Sequence, residues 1–206
     1  MLNFTPVTAE AMPVLRPYYE SCTYRLCEYS AGVKYMWRDH LHSEYAETDG
    51  CLIIRNCIDG VPQFDYPIPG PEGDVDAALA TVEDHCRQKG VRPIFSVVPE
   101  SEAGKLALRW PRVTITNERV WKDYLYHTED LAQFAGRHYS GQRNHINKFN
   151  KEHPDAEFIP LTVENTDLLA AFWADYDREF QKQSPEAKRE LALAQEMFTH
   201  LDKGLV

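Results

Sequence analysis

Apolar and polar positions in the first part of the chain predict a short strand followed by helices. Residues 2–8 match a strand, and residues 9–22 match a helix that contains Pro13 and Pro17. Residues 33–45 are rich in aromatic side chains with mixed periodicity, which predicts a short helix leading into a strand. The pattern indicates a mixed α/β protein.

A hairpin is predicted next. Residues 51–57 and 62–68 are β-like runs. Asp59-Gly60 lies between them and is a dipeptide that favours two-residue hairpin turns.

A capped helix is predicted after the hairpin. Its apolar side chains keep helical spacing: Val75, Leu79, Val82 and Cys86. Asp74 is placed to cap the start of this helix, and Gly90 is a suitable stop at its C-terminus.

The middle of the chain predicts a strand, a helix and two further strands. Residues 91–99 match a strand, and residues 101–110 match a short helix with Ser101 as its cap. Alternation within residues 113–127 predicts two strands joined around Thr116-Asn117-Glu118.

The last third predicts a helical region, a strand and two more helices. Residues 128–154 are helical by composition, with Gly141 as a joint, and residues 156–162 match a new strand. Helices are predicted over residues 163–182 and 190–206. The order strand, helix, helix is also the order in which the chain begins. We therefore expect the start of a second unit.

The order of elements resembles that of acyltransferases of the GNAT fold, whose mixed sheet has a helix after the fourth strand and another after the fifth. We therefore expect an α/β (α+β) fold with a GNAT-like acyl-CoA N-acyltransferase sheet flanked by helices. The expected organisation is a first GNAT-like domain over residues 1–130, a basic helical connector over 131–154, and the beginning of a second, incomplete GNAT-like domain over 155–206.

Charge and cysteine content narrow the function classes. The chain of 206 residues carries 22 Lys+Arg against 32 Asp+Glu, a net charge of −10, which argues against a general nucleic-acid binder. The sequence shows neither a long apolar run nor a secretion signal, so a cytoplasmic location is expected. The five cysteines form no CxxC pair, and His40, His42 and His85 show no ligand spacing that recurs with them. Free thiols and no metal site are therefore expected.

Residues 136–154 depart from this acidic background. The segment holds three histidines, four amides and a single acid, Glu152, beside four cations: Arg137, Arg143, Lys148 and Lys151. If the segment is helical, Gln142, Ile146 and Phe149 share one side, which is expected to be buried. Asn144, Lys148 and Lys151 share another stripe.

Two interpretations of this segment stay open. Its cations and amides form either a face that binds a phosphate-bearing ligand or a seam that pairs with the chain's own acids, such as Asp123, Glu129 and Asp130. Under the first interpretation, the expected substrate-binding residues are Arg137, Arg143, Asn144, His145 and Lys148. No catalytic residue is assigned.

A family resemblance rests on three stretches: YMWRDHLHSEYAETDGCLIIR, FDYPIPGPEGD and YLYHTEDLAQFAGRHYSGQRNHINKF. They resemble bacterial proteins related to the C-terminal domain of phosphatidylglycerol lysyltransferase, a domain of unknown function, and the resemblance covers nearly all of the chain. It implies two GNAT-like units in tandem and transfer of an acyl or aminoacyl group to an unidentified amine or hydroxyl acceptor. It also implies acyl-CoA or aminoacyl-tRNA as the donor of the complete protein, with no cofactor held by this chain.

GNAT enzymes bind the pyrophosphate of coenzyme A on backbone N–H groups at a helix N-terminus after the fourth strand. The corresponding residues here are Gly70-Pro71-Glu72-Gly73-Asp74. Pro71 has no N–H, and the carboxylates of Glu72 and Asp74 repel a pyrophosphate. We therefore expect that the first unit does not bind acyl-CoA in the usual way.

This expectation leaves an alternative to a transferase. In this alternative, the chain is a non-catalytic binding or regulatory module on a degenerate GNAT-like scaffold. A third hypothesis is peripheral contact of the basic segment with anionic lipid.

Overall fold

One mixed sheet organises the fold. The computed structural model describes residues 1–179, 184–200 and 202, leaving aside the side chains of Trp121 and Glu186. Within these residues the strands are β1 (Thr5–Pro6), β2 (Glu44–Thr48), β3 (Cys51–Ile58), β4 (Val61–Asp65), β5 (Ile68–Pro69) and β6 (Phe95–Val97). The strand order is β1-β2-β3-β4-β6, and β5 pairs with β3.

Helices make up most of the remaining regular structure. The α-helices are α1 (Met12–Ser21), α2 (Ala31–Leu41), α3 (Val75–Lys89), α4 (Glu100–Arg109), α5 (Thr128–Gln133), α6 (Ser140–Glu152), α7 (Leu168–Glu179) and α8 (Pro185–Phe198). Short 3-10 helices cover Ala9–Ala11, Arg119–Trp121 and Arg137–Tyr139. In the described part of the chain, no helix has the length and apolar character needed to cross a bilayer.

The sheet changes from antiparallel to parallel at β4. Strands β1 to β4 pair in antiparallel fashion, whereas β4 and β6 run parallel, with Phe64 opposite Phe95 and Asp65 opposite Val97. The register shifts between Phe64 and Asp65. Parallel neighbours need a crossover connection, and the chain supplies it with α3.

Strand β3 is buried on both faces, so it contributes to two apolar clusters. Leu52 and Ile54 point to one face and pack with Leu15 of α1. Ile53 points to the other face and packs with Val82 of α3. This division follows the two-residue period of a strand.

Local signals in the sequence predicted the turn and the caps correctly. Asp59 and Gly60 have φ values of 52° and 77°, the conformation of the predicted hairpin turn. The side chain of Asp74 accepts a hydrogen bond from the Ala77 N–H at 3.0 Å and caps α3. Gly90 ends α3 with a φ of 68°.

The two strands predicted over residues 113–127 are absent from the described structure, so this prediction is wrong. The segment contains one 3-10 helix and no strand. In this segment, the side chains of Val120, Tyr124 and Leu125 are 79%, 85% and 73% exposed. An alternating pattern forms a strand only when a neighbour takes up its hydrogen bonds, and none of the described strands pairs with this segment.

Three smaller expectations are also wrong. Pro99, and not Ser101, is the N-cap of α4. Gly141 lies inside α6, and the helical region is interrupted earlier, where Phe134 and Gly136 have φ values of 46° and 86°. Residues 156–162 form no strand in the structure as described.

The last two predicted helices are confirmed as α7 and α8. Residues 180–182, 201 and 203–206 of those predictions lie outside the described residues.

The chain divides into two compact units. One consists of Met1–Thr116 and Thr166–Val206, and the other of Asn117–Asn165. In the first unit, the Tyr35 hydroxyl and the Arg38 guanidinium of α2 each donate to Glu196 of α8 at 2.7 Å. The expected boundaries near residues 130 and 154 stay a prediction.

Candidate functional site

The residues predicted to bind substrate lie in the second unit, on α6 and just before it. Arg137 is exposed in the 3-10 helix that precedes α6. Asn144, His145 and Lys148 are exposed on α6, and Arg143 is half-buried there. The sequence therefore predicted the helix, whereas the roles of these side chains depend on where each one points.

Arg143 is engaged with the backbone of the preceding turn. Its guanidinium donates to the carbonyl oxygen of Phe134 and, at 2.8 Å, to that of Gly136. Both carbonyls belong to the turn where the chain adopts positive φ values between α5 and α6. Arg143 therefore stabilises the entry into α6 through its Nη1 group.

Asn144, Lys148 and Lys151 form one exposed face of α6, which we call the cationic face. They are spaced i, i+4 and i+7, so a helix of 3.6 residues per turn brings them onto one side. Lys148 makes a long ion pair of 3.8 Å with Glu152, and both side chains are mostly exposed. Such a pair contributes little to stability, so the lysine ammonium can reach other anions. His145 and Arg137 lie off this face.

The side of α6 that was expected to be buried is exposed, so this expectation is wrong. Ile146 and Phe149 are 43% and 53% exposed. The Phe149 ring contacts the His153 ring, with 4.9 Å between centroids. Helical spacing predicted the apolar stripe, but it could not predict whether another element covers it.

In the first unit, two backbone donors of the loop before α3 bond to the β2–β3 turn, and a third bonds within the loop. The Gly70 N–H donates to the Gly50 carbonyl at 2.9 Å, and the Asp74 N–H donates to the Asp49 carbonyl at 2.8 Å. The Gly73 N–H donates to the Gly70 carbonyl at 3.0 Å. In the first turn of α3, the Ala77 N–H donates to the Asp74 carboxylate.

The same loop packs closely against the β2–β3 turn at Gly73. A Cβ placed on Gly73 would lie 2.8 Å from the Gly50 carbonyl oxygen and 2.8 Å from the Pro69 Cα. The carboxylate of Asp74 also occupies the end of α3 as a cap. The expectation that acyl-CoA does not bind here in the usual way stays a prediction.

A shallow groove of about 270 Å³ lies beside this loop, at the C-terminal end of α1. Its lining is uncharged: Ser21, Cys22, Thr23, Tyr24, Pro69, Gly70 and Pro71. Burial raises the pKa of the Cys22 thiol and of the Tyr24 hydroxyl. A thiol with a raised pKa stays protonated, so Cys22 is a poor nucleophile.

A buried polar network lies at β4, where the sheet changes from antiparallel to parallel pairing. The sequence did not predict this network. Lys34 Nζ contacts Asp65 Oδ2 at 2.6 Å, and both side chains are 3% exposed. Asn56 donates to Asp65 Oδ1 at 2.9 Å, and the Ser43 hydroxyl donates to Asn56 Oδ1 at 2.7 Å. Burial raises the pKa of Asp65, and the Lys34 ammonium acts in the opposite direction.

A single sequence gives little signal for this network. Lys34 and Asp65 are 31 positions apart, and charged residues within a helix and a strand usually face solvent. The pair is positioned inside the fold, and it holds α2 against β4. No groove residue belongs to it, so it supports the structure of the first unit and not a ligand site.

Comparison with known proteins places this geometry in a family. The family model described as "Phosphatidylglycerol lysyltransferase, C-terminal" matches residues 20–204. A search of curated proteins finds no match.

A solved structure has the same fold. It is described as a conserved protein of unknown function from Bacteroides thetaiotaomicron VPI-5482. The two chains are 24% identical with a TM-score of 0.80, and the match covers 98% of this chain and 69% of the other.

Proposed function

We propose an activity for this protein from one premise: the chain belongs to the phosphatidylglycerol lysyltransferase C-terminal family. We propose that the protein takes part in transfer of an acyl or aminoacyl group to an amine or hydroxyl acceptor. In this proposal the cationic face of α6 binds the phosphate-bearing part of the substrate. The exposed Asn144, Lys148 and Lys151 are the observation on which the proposal rests.

The topology of the first unit supports a GNAT-like scaffold. Antiparallel strands lead to β4, α3 crosses over, and β6 returns parallel to β4 with a register shift at Asp65. Helix α4 follows β6, as it does in the GNAT order of elements. This agreement supports the proposed fold family and does not assign a donor.

The loop before α3 favours a donor other than acyl-CoA. Its amides are bonded to the β2–β3 turn, and Glu72 and Asp74 add negative charge. We therefore propose aminoacyl-tRNA as the donor class, since its phosphates suit lysine side chains and its sugar hydroxyls suit amides. The first unit then acts as a scaffold.

The arrangement of α6 favours a nucleic-acid phosphate over a lipid surface. Lys148 and Ile146 are two positions apart, which separates them by about 200° around the helix. Lys148 and Lys151 therefore point away from the exposed apolar stripe. A bilayer that received Ile146 and Phe149 would not reach the two lysines on the opposite face.

In catalytic terms, the proposed role is binding and orientation. Lys148 and Lys151 attract phosphates, Asn144 donates to their oxygens, and Arg143 holds α6 at its entry turn. Holding a reactive ester beside an acceptor lowers the entropic cost of the reaction without a covalent intermediate on the protein. Arg137 and His145 lie at the margin of the face and are proposed as secondary contacts.

The proposal is tested by binding of a fluorescent tRNA acceptor-stem RNA to the full chain. Lys148→Ala combined with Lys151→Ala should weaken binding about tenfold at moderate salt, because two phosphate contacts are lost. The matched control is Lys188→Ala with Arg189→Ala, which removes the same charge from exposed positions of α8. Equal loss in both double variants would show general charge attraction and would contradict a specific face on α6.

A second candidate function is a non-catalytic binding or regulatory module. The occupied amides of the loop before α3 favour it, because they leave fewer backbone donors near the N-terminus of α3 for a ligand. Single-turnover assays separate the two functions. Transfer of a labelled aminoacyl group to an amine acceptor supports a transferase, whereas RNA binding without any transfer supports the module.

A further inference from the structure

The first seven residues of the chain, which we call the N-terminal strap, lie against the apolar cluster between the sheet and α3. Leu2 is a buried member of this cluster, and Phe4 packs against it. The centroid of the Phe4 ring lies 6.2 Å from that of the Phe64 ring in β4. The strap is therefore attached to the first unit through apolar side chains.

Few backbone contacts hold the strap. Strand β1 covers only Thr5 and Pro6, which pair with β2. The Val7 N–H donates to the Ser43 carbonyl at 3.0 Å, and residues 1–4 lie outside the regular structure. A segment with so little backbone pairing opens at a small part of the free energy of global unfolding. The side-chain contacts of the strap therefore control its release.

His85 of α3 contacts the strap and has an unpartnered ring nitrogen. His85 is 4% exposed, and its ring meets the Phe4 ring edge-on with 5.5 Å between centroids. Its Nδ1 is buried, and no hydrogen-bond partner for it lies among the described residues. An imidazolium carries an N–H at both nitrogens, so protonation would bury a charged donor without an acceptor.

The groups whose charge acts on His85 are cationic: the amino group of Met1, Arg55 of β3 and Lys89 of α3. Glu44 of β2 pairs with Arg55 and offsets part of its charge. Burial raises the pKa of the neighbouring Cys86 thiol, which therefore stays neutral. Burial lowers the pKa of His85 below the usual 6.5, and the three cations lower it further.

Release of the strap changes only part of this environment. Arg55 and Lys89 stay beside His85, because β3 and α3 are not part of the strap. Leu2 and Phe4 leave together with the amino group, so water reaches the imidazole. The released state therefore binds a proton more tightly than the closed state does.

We propose that His85 makes the N-terminal strap a pH-sensitive cover, which is closed while the imidazole is neutral and is released when the imidazole takes up a proton from solvent. Because the closed-state pKa is depressed, closure is fully stabilised above the usual 6.5 and weakens as pH falls towards the closed-state pKa. Each unit between the closed-state and released-state pKa weakens closure about tenfold. Release uncovers the apolar cluster and leaves β2 at the edge of the sheet.

The first test is the pKa of His85 in the full chain, measured by NMR titration of its imidazole. This pKa should lie below 6.5. Phe4→Ala removes most of the cover and should raise the pKa of His85 towards 6.5, whereas Phe4→Leu keeps an apolar cover and should raise it less. Phe158→Ala is the matched control, because it removes a ring that is 96% exposed and should leave the pKa of His85 unchanged.

The second test is hydrogen exchange of the Val7 amide, corrected for the pH dependence of intrinsic exchange. Its protection should fall as pH is lowered from about 7.5 to about 5, a range that stays above the usual 4.5 of Glu196. In His85→Leu the protection should stay constant over this range. The control His40→Leu removes an exposed histidine of α2 and should behave like the unaltered chain.

Far-UV circular dichroism checks that each variant is folded, and the first test leaves His85 in place if His85→Leu does not fold. A His85 pKa of 6.5 or above would overturn the proposal, as would a pKa that Phe4→Ala leaves unchanged. Constant protection of Val7 in the unaltered chain, or a fall that persists in His85→Leu, would also overturn it.

Discussion

The carbonyl oxygen of Gly50 accepts a hydrogen bond from the Gly70 N–H at 2.9 Å, so the β2–β3 turn fills the loop in front of α3. The contact joins two turns that are 20 positions apart in the sequence. It occupies a backbone donor of the loop that leads into α3. The β2–β3 turn therefore packs against the loop before α3 within the first unit.

The tight approach of these turns predicts the effect of adding a methyl group. Gly73→Ala places a Cβ 2.8 Å from the Gly50 carbonyl oxygen, and neither backbone can move without breaking the loop. We expect a loss of about 1–3 kcal/mol in the free energy of unfolding, measured by urea denaturation. Gly104→Ala is the control, because nothing lies within 4 Å of its Cβ position and it lies within α4. That variant should gain about 0.5–1 kcal/mol.

The buried pair of Lys34 and Asp65 predicts a large cost for removing one partner. Lys34→Met leaves the Asp65 carboxylate buried without its counter-charge, so the free energy of unfolding should fall by about 3–5 kcal/mol. The double variant Lys34→Met with Asp65→Leu should recover much of this loss, because no buried charge remains. A double variant that is less stable than the single one would show that the ion pair itself stabilises the first unit.

Helix α8 should loosen at acidic pH through Glu196. Burial alone raises the pKa of Glu196, but hydrogen bonds from Tyr35 and Arg38 outweigh it and hold the pKa below the usual 4.5. Because the folded-state pKa is depressed, the stabilisation is fully present above the usual 4.5. It is lost as pH falls through the lower folded-state pKa. After correction for the pH dependence of intrinsic exchange, the protection of α8 amides should therefore fall below about pH 4.5. In Glu196→Gln this pH dependence should largely disappear, and its persistence would assign the effect to other carboxylates.

Arg143 is expected to act through the structure of α6 and not through direct contact with substrate. Arg143→Ala removes two hydrogen bonds to the turn at Phe134 and Gly136, so amide exchange in that turn and the first turn of α6 should accelerate. Asn144→Ala should leave this exchange unchanged and weaken RNA binding. If Arg143→Ala reduces binding without any change in exchange, Arg143 contacts the ligand directly.

The sequence predicts those parts of the fold that depend on local chemistry. The turn at Asp59-Gly60 and the Asp74 cap are specified by a few adjacent residues, and the structure confirms them. The alternating segment 113–127 carries an equally regular pattern, but a strand needs a partner that the segment itself does not supply. Its prediction as two strands was therefore wrong.

The candidate substrate-binding residues on α6 show the same distinction between local sequence patterns and tertiary contacts. Helical spacing predicted that Asn144 and Lys148 share a face of α6, because both lie on one element. It could not predict that Arg143 turns back onto its own backbone, since the turn at Phe134 and Gly136 is set by tertiary geometry.

The proposed binding of phosphates by Lys148 and Lys151 makes a quantitative prediction for the salt dependence of RNA binding. The slope of log K against log salt concentration counts the phosphates that a protein neutralises. Replacing both lysines with alanine should reduce the magnitude of this slope by roughly 1.4–1.8, whereas the α8 double variant should leave it unchanged. An unchanged slope in Lys148→Ala with Lys151→Ala would contradict the account.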